Sequence, residues 1–322
     1  MRSTKSSGRK NRNHPARRRW LIGGLAVFLL FDAGLVFFAL TATKPASKAG
    51  TVAAVPTDEP SLVEPDETTP PEVVETTPTV TPTRLLTALD ASTAWRASTG
   101  ACPATSADPE LTTDSGTTWE SFDASIETDA STILTMSVVD DTEVSLVTLD
   151  VADCAPQLVY TVVAGNQWKA YPERAAAEWY VDPATPNTVH SPSGGAAAPC
   201  AAVASLAATD KSSAAVLCTE ATVFTTQDAG ETWSAPTSVP GAAALAATTG
   251  GYQVAVSNPA GCVGVSLRKI SSDVVIDETN GACLTGTVNT GETAISVAED
   301  GTIWLWAGEA FGRSTDGGAS WV

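Results

Sequence analysis

From Arg84 onward the chain alternates apolar and polar positions in short runs, among them TILTMSVVD, TEVSLVTLDV, QLVYTVV, AAVLCTE, YQVAVSN, TAISVAED and TIWLWAG. Gly, Asp or Asn interrupts these runs about every eight to twelve residues, a spacing that predicts short strands joined by tight turns. No stretch there carries apolar residues at i, i+3, i+4 and i+7 over a helical length. Residues 84–322 therefore read as one all-β domain.

Upstream the pattern changes twice. Residues 44–83 hold eight prolines, many threonines and seven acids with few large apolar side chains, the composition of a disordered, extended spacer. Residues 20–43 are apolar, and the 22 positions from Leu21 to Ala42 contain one charge, Asp32. At roughly 1.5 Å per residue that run crosses a hydrocarbon core of about 30 Å. A cleaved signal peptide would carry a shorter apolar region of about 7–15 residues ending at a small-x-small site. Here the nearest such site, Ser47-Lys48-Ala49, lies well past the run. Residues 1–19 form a tail with eight Lys or Arg and no acid, so the positive-inside bias puts the N-terminus in the cytoplasm. The reading is a single-pass type II protein of the cell membrane with its β domain outside. Asp32, an acid within the span, is the candidate contact to another helix, either in a homodimer or on a membrane partner.

An octet recurs in the β domain with the spacing S/T-x-D-x-G-x-S/T-W. It reads TTDSGTTW with Thr112, Asp114, Gly116 and Trp119, then TQDAGETW with Thr226, Asp228, Gly230 and Trp233, then STDGGASW with Ser314, Asp316, Gly318 and Trp321. A degenerate copy, TVVAGNQW, runs from Thr161 to Trp168 without the Asp. Each residue type has a folding role. Gly supplies positive φ in a tight turn, the Asp accepts hydrogen bonds from exposed backbone N–H groups, and the Trp is expected to lie across its own hairpin. A repeat near 40 to 50 residues in an all-β chain points to a propeller of four-stranded blades, here five or six.

The octets resemble the Asp-box, or BNR, repeat of sialidases, sortilin-type receptor propellers and photosystem II assembly-factor propellers. WYVDPATPNTVH, from Trp179 to His190, resembles the strand-turn-strand that opens such blades. The resemblance implies boxes on outer turns between third and fourth strands, away from the central ligand site, and so a fold without a reaction. The final box Trp is followed by Val322 alone, and residues near Thr79 to Leu86 are expected to return as the outer strand of the last blade, because an unpaired edge is an aggregation hazard.

Charge and cysteine content narrow the function classes. Residues 51–322 hold 35 of the 36 acids and eight of the 18 Lys and Arg, a surface that repels phosphate backbones and argues against nucleic-acid binding. The six cysteines, Cys102, Cys154, Cys200, Cys218, Cys262 and Cys283, all lie in the β domain and suggest three disulfides. A hairpin centred near Thr209, Asp210 and Lys211 sets Cys200 opposite Cys218, while the other four remain unassigned. No CxxC occurs and the histidines are His14 and His190, so no metal, redox motif or cofactor is expected.

A sialidase would need an arginine cluster, whereas the outside domain has Arg84, Arg96, Arg174, Arg268 and Arg313 with no FRIP-like segment. Other glycosidases would need two carboxylates facing one bond, which the many acids neither locate nor exclude. His190 lies in the polar loop TVHSPSGG and is expected at the surface. Trp304 and Trp306 share one face of a strand and are expected in the core, and Trp179 and Tyr180 are the candidate ligand contacts. The expected function is a binding module for an envelope protein or a cell-wall glycan, with an assembly or stability factor for a membrane complex as the alternative and a glycoside hydrolase behind both. The anchor makes a direct prediction. The full chain should stay with membranes through a high-salt wash, and protease added from outside intact cells should remove the β domain. Release of the chain by salt would exclude the span.

Overall fold

The computed structural model describes residues 81–271, 276–277 and 281–322. The predicted basic tail, membrane span with Asp32, and nearly all of the spacer lie outside the described residues. Among the described residues no helix is long and apolar enough to cross a membrane.

The β domain is a five-bladed propeller. Blade 1 orders β1 (Arg84–Ala88), β2 (Ala94–Ser98), β3 (Glu110–Thr112) and β4 (Glu120–Ser121) as a meander. Blade 2 repeats it with β5 (Ala130–Val138), β6 (Val144–Asp150), β7 (Pro156–Thr161) and β8 (Lys169–Tyr171). A 3-10 turn, Pro172–Ala177, leads into the segment Glu178–Val181 and the hairpin of β9 (Thr188–Ser191) and β10 (Gly194–Ala197). Blade 3 contains β11 (Val203–Ala208), β12 (Ala214–Cys218), β13 (Thr222–Thr226) and β14 (Thr237–Ser238). Blade 4 contains β15 (Ala242–Thr248), β16 (Gly251–Ser257), β17 (Gly264–Ser271) and β18 (Ile276–Asp277), with β19 (Leu284–Thr285) also pairing with β17. Blade 5 contains β20 (Thr293–Val297), β21 (Ile303–Ala307) and β22 (Ala310–Ser314).

The second strand of each blade shows why the sheets stack face to face. Side chains alternate across a strand, so a strand whose two faces are both covered must be apolar at nearly every position. Strand β12, AAVLC, is buried throughout. Its Ala214 and Val216 join a cluster with Trp179 and Val189, while Ala215 and Leu217 join Val254 and Val256 of blade 4. On β21, Ile303 and Leu305 pack toward Val265 and Leu267 of blade 4, whereas Trp304 packs with Ala88 and Ala94 of blade 1.

Blades 2 and 3 are joined differently, through the inserted segment. Tyr180 packs with Leu134, Val147, Leu149 and Leu158 of blade 2, and its neighbour Trp179 packs with Val203, Ala214 and Val216 of blade 3. Trp179 also donates its indole N–H to the Asp210 carbonyl at 2.9 Å. The two adjacent side chains point opposite ways, so two residues seal one interface.

The ring closes between blades 5 and 1, and it does so differently from the sequence expectation. Strand β1 is the first strand of blade 1, pairing with β2 alone, and is not an outer strand of blade 5. It runs beside β20, with Thr83 N donating to the Gly291 carbonyl at 2.9 Å and Ala88 N to Ser296 Oγ at 3.0 Å. Packing explains the difference: in this position Leu85 and Leu86 lie partly buried against the clusters on either side of blade 1. The outer edge of β22 is met by Val322, whose N–H and carbonyl both bond Arg313.

All three disulfides lie where second strands turn toward third strands. Cys102–Cys154 links blade 1 to blade 2, Cys200–Cys218 ties the inserted hairpin to blade 3, and Cys262–Cys283 closes the corresponding end of blade 4. Cys200 stands three residues before Val203, the residue that pairs with Cys218, so the expected pairing forms from just outside the hairpin. The sequence separation of 52 between Cys102 and Cys154 makes that bridge worth roughly 4 kcal/mol in the chain-entropy account.

The octets sit at the opposite ends, between third and fourth strands in blades 1 and 3 and directly after β22 in blade 5. Their glycines have positive φ and also meet the preceding unit around the ring. A Cβ on Gly116 (φ +85°) would lie 2.7 Å from Phe311 of blade 5, and one on Gly318 (φ +91°) would lie 2.9 Å from Leu267 of blade 4. The Trp residues also reach the preceding unit, while Trp321 and Trp233 keep the expected contact with their own blades, at Gly312 and Gly230 respectively. Trp119 meets Phe311 of blade 5 edge-on at 5.3 Å, and Trp168 meets Trp95 of blade 1 at 6.2 Å. Trp321 packs among Val265 and Leu267 of blade 4, and Trp233 in the cluster of Trp179 and Val189. A Trp ring is larger than its own turn, so it reaches across the gap.

A Cβ on Gly301 (φ +86°) would meet nothing within 4 Å, so Gly301→Ala should cost only the left-handed backbone penalty of about 1–2 kcal/mol. Gly116→Ala should cost measurably more in equilibrium chemical denaturation, because Phe311 is held between Trp119 and Trp304 and cannot yield. Equal losses would remove the inter-blade role of the octet glycine.

Candidate functional site

The first strands of the blades surround a cavity of about 400 Å³. Consecutive residues line it: Arg84 to Thr87 on β1, Leu134 to Ser137 on β5, Val203 to Ala208 on β11, Ala244 to Ala247 on β15 and Thr293 to Val297 on β20. A sheet face would show only alternate residues, so it is the unpaired edge of each first strand that looks inward. Glu178 to Val181 enter the same wall.

Hydroxyls tie these edges together. Ser205 Oγ on β11 accepts from Leu245 N on β15 at 3.0 Å, and Ser296 Oγ on β20 accepts from Ala88 N on β1 at 3.0 Å. Thr99 Oγ1 donates to the Ile133 carbonyl at 2.5 Å. Thr293 lines the cavity, and its hydroxyl oxygen is buried without a hydrogen-bond partner among the described residues.

Two ionisable groups other than Tyr180 line the cavity, and they differ in their state of pairing. Arg84 donates to the carbonyls of Glu292 and Gly308, reaches Glu292 Oε2 at 3.4 Å, and lies over the Trp306 ring at 4.3 Å. Burial lowers its pKa, Glu292 opposes that shift and Arg96 adds to it. Glu178 is half-buried and desolvation raises its pKa, an effect that Lys211 partly offsets. Among the described residues no ion pair or side-chain hydrogen bond is made by the Glu178 carboxylate.

Trp179 and Tyr180, read from the sequence as ligand contacts, are 8% and 5% exposed and serve as the packing wedge described above. His190 departs from its expected surface position. It lies half-buried on β9, stacked on Tyr180 with ring centroids 4.4 Å apart, and burial lowers its pKa while Asp182 raises it. Trp304 is fully buried and donates to the Asp90 carbonyl at 2.8 Å, whereas Trp306 is half-buried between Arg84 and Arg96.

The octet acids do local structural work away from the cavity. Asp114 Oδ1 accepts from Thr118 N at 2.8 Å and Thr112 Oγ1 at 2.9 Å, and Oδ2 accepts from Thr118 Oγ1 at 2.7 Å. Asp228 and Asp316 repeat the pattern with Thr226 and Thr232, and with Ser314 and Ser320. In the degenerate copy Val163 occupies the acid's place, and the Gly165 N–H still reaches Thr161 Oγ1 at 3.2 Å.

A second recurring turn escaped the sequence reading. The turns after β1, β5 and β11 contain Asp90-x-Ser92, Asp140-x-Thr142 and Asp210-x-Ser212, in which one carboxylate oxygen accepts two backbone N–H groups and a hydroxyl. Each turn then receives the octet of its own blade: Ser115 N bonds the Ser92 carbonyl, Ala164 N the Thr142 carbonyl and Ala229 N the Ser212 carbonyl. The signal was available as D-x-S/T directly after a strand, an Asx-turn pattern.

By sequence, no protein family profile and no curated protein matches the chain. Solved structures with a similar fold include YCF48 bound to a D1 peptide, 19% identical over 76% of this chain and 68% of that one, with a TM-score of 0.28. YCF48 from Cyanidioschyzon merolae is 15% identical over 76% of this chain and 85% of that one, with a TM-score of 0.38. A GH74 xyloglucanase from Xanthomonas campestris is 17% identical over 74% of this chain and 37% of that one, with a TM-score of 0.30. At these scores the likenesses carry no argument about ligand or activity.

The turn acids set a pH dependence. Serine donors hold Asp210 and Asp316 down to about 2, chiefly the Ser212 amide and the Ser320 hydroxyl respectively. Unfolded aspartate titrates near 3.9, so the stabilisation is complete above that pH and is lost as pH falls toward 2. Tm should therefore hold steady down to about pH 4 and then fall. Asp316→Asn should lower Tm at neutral pH and flatten the acid limb, and an unchanged acid limb in that variant would refute the assignment.

Proposed function

We propose that this chain is a tethered recognition module that holds a segment of a partner protein in the cavity ringed by its first strands. The observation that carries the reading is the inward-facing row of strand edges, since an extended segment can bond such edges through its own backbone. The lining composition supports binding over hydrolysis. Glycoside hydrolysis takes two carboxylates flanking one bond, whereas the cavity lining includes one carboxylate, Glu178, and one guanidinium, Arg84, already engaged by Glu292 and Gly308.

The octets are read as Asp-boxes that fasten blades and leave the cavity to the first strands. The apolar run with Asp32 is read as the tether, the spacer as the reach, and an envelope protein as the partner. An assembly factor is the form this function takes when that partner belongs to a membrane complex.

The test uses the full chain in its own membrane. A photo-crosslinking amino acid at Met136, within the cavity lining, should yield light-dependent adducts with protein. The same amino acid at Val263, 79% exposed between β16 and β17, should not. Adducts with glycan alone would move the reading to carbohydrate recognition, and identical adducts from both positions would exclude the cavity as the site.

A further inference from the structure

The cavity walls mix polar and apolar surface, with Leu85, Leu134, Met136, Leu206, Leu245 and Ile295 among the apolar residues that line them. Its volume of about 400 Å³ falls within the range of ligand clefts, about 300–1,000 Å³. Apolar walls alone would accept any aliphatic segment, so selectivity must come from the polar groups that remain free. Arg84 is spent: its guanidinium faces two carbonyls and Glu292 and is covered by Trp306. Ser205, Ser296 and Thr99 bond neighbouring backbone. Among the described lining residues Glu178 is the one charged side chain without an ion pair or a side-chain hydrogen bond.

Resting on the reading above, we propose that the cavity selects an extended peptide in which apolar residues flank a lysine or arginine, the cation pairing with Glu178. A partly desolvated carboxylate without a partner is costly, and a cation brought to it removes that cost. Burial already draws a proton toward the Glu178 carboxyl, which shows that the site favours a neutralised carboxylate. Lys211, in the turn after β11, acts on Glu178 from a distance and makes no ion pair with it among the described residues.

The binding experiment uses the full chain in detergent micelles and three fluorescent peptides, acetyl-Leu-Ala-Lys-Ala-Leu-amide and its versions with norleucine or glutamate in place of lysine. Fluorescence anisotropy should show the lysine peptide binding at least about tenfold more tightly than the norleucine peptide, a difference of about 1.4 kcal/mol. Glu178→Gln should bring the two to the same affinity. It should also keep or raise Tm, because it removes a partly buried charge. Glu173→Gln, on the exposed 3-10 turn outside the cavity lining, should change neither affinity. A lysine preference that survives Glu178→Gln, or equal binding of the glutamate peptide, overturns the proposal. If no peptide binds while crosslinking from Met136 still captures protein, the cation preference is wrong and the cavity reading stands. If crosslinking also fails, both fall.

Discussion

Each blade of this propeller has two apolar faces, and each needs a neighbour on both sides before its side chains leave water. A meander of blades satisfies that requirement everywhere except at its first and last members, so ring closure is the constraint on which the rest depends. Closure here adds side-chain contacts to the backbone bond between Thr83 and Gly291. Trp304 reaches from blade 5 to the Asp90 carbonyl, Arg313 bonds Ala91 and Ser115, and Trp306 stands between the guanidinium groups of Arg84 and Arg96. Arg96 lies over Trp119 at 4.1 Å and pairs with Glu110 at 2.6 Å, which continues the ladder into blade 1. Cation–π contacts of this kind strengthen as they are desolvated, from about 0.5–1 to about 2 kcal/mol each. With β1 placed first in its own blade, no strand among the described residues is shared between blades 5 and 1, and this ladder contributes to the fastening there.

The two ends of the blades are fastened by different chemistry. At the end carrying the octets, carboxylates gather turn amides and hydroxyls, and the Trp and Gly of each octet press against the preceding unit. At the other end three disulfides do the fastening. Blade 2 is where this division weakens. Its octet has lost the acid, and it is also the blade joined to its successor through the Trp179–Tyr180 wedge.

That wedge also shapes the cavity. Without it, β5 and β11 would need to meet directly; with it, Glu178 is carried into the wall beside its packed neighbours. A single extended segment thus spaces two blades and brings an unpaired carboxylate to the lining. Structural and recognition roles fall on adjacent residues because consecutive side chains of an extended chain point in different directions.

Strand content, the octet turns and the Cys200–Cys218 bridge were legible because each depends on residues close in sequence: alternation within a run, Asp and Gly within one turn, two cysteines flanking one hairpin. The Asp-x-Ser/Thr turns were equally local and could have been read. What the sequence did not contain locally was the choice of neighbour. Leu85 and Leu86 suit an inner or an outer strand equally well, and only the packing of both blade faces makes β1 first in its own blade. Trp119 shows no sign in its octet that it covers Phe311, nearly two hundred positions away, and His190 shows none that it stacks on Tyr180. The cavity belongs to the same class, since residues from seven separate segments line it and the first-strand edges face inward only after the ring has closed. The sequence by itself determined the elements and their turns, through contacts a few residues long. Tertiary structure decided which faces meet and which polar groups stay unpaired, because those outcomes depend on competition among distant surfaces for burial.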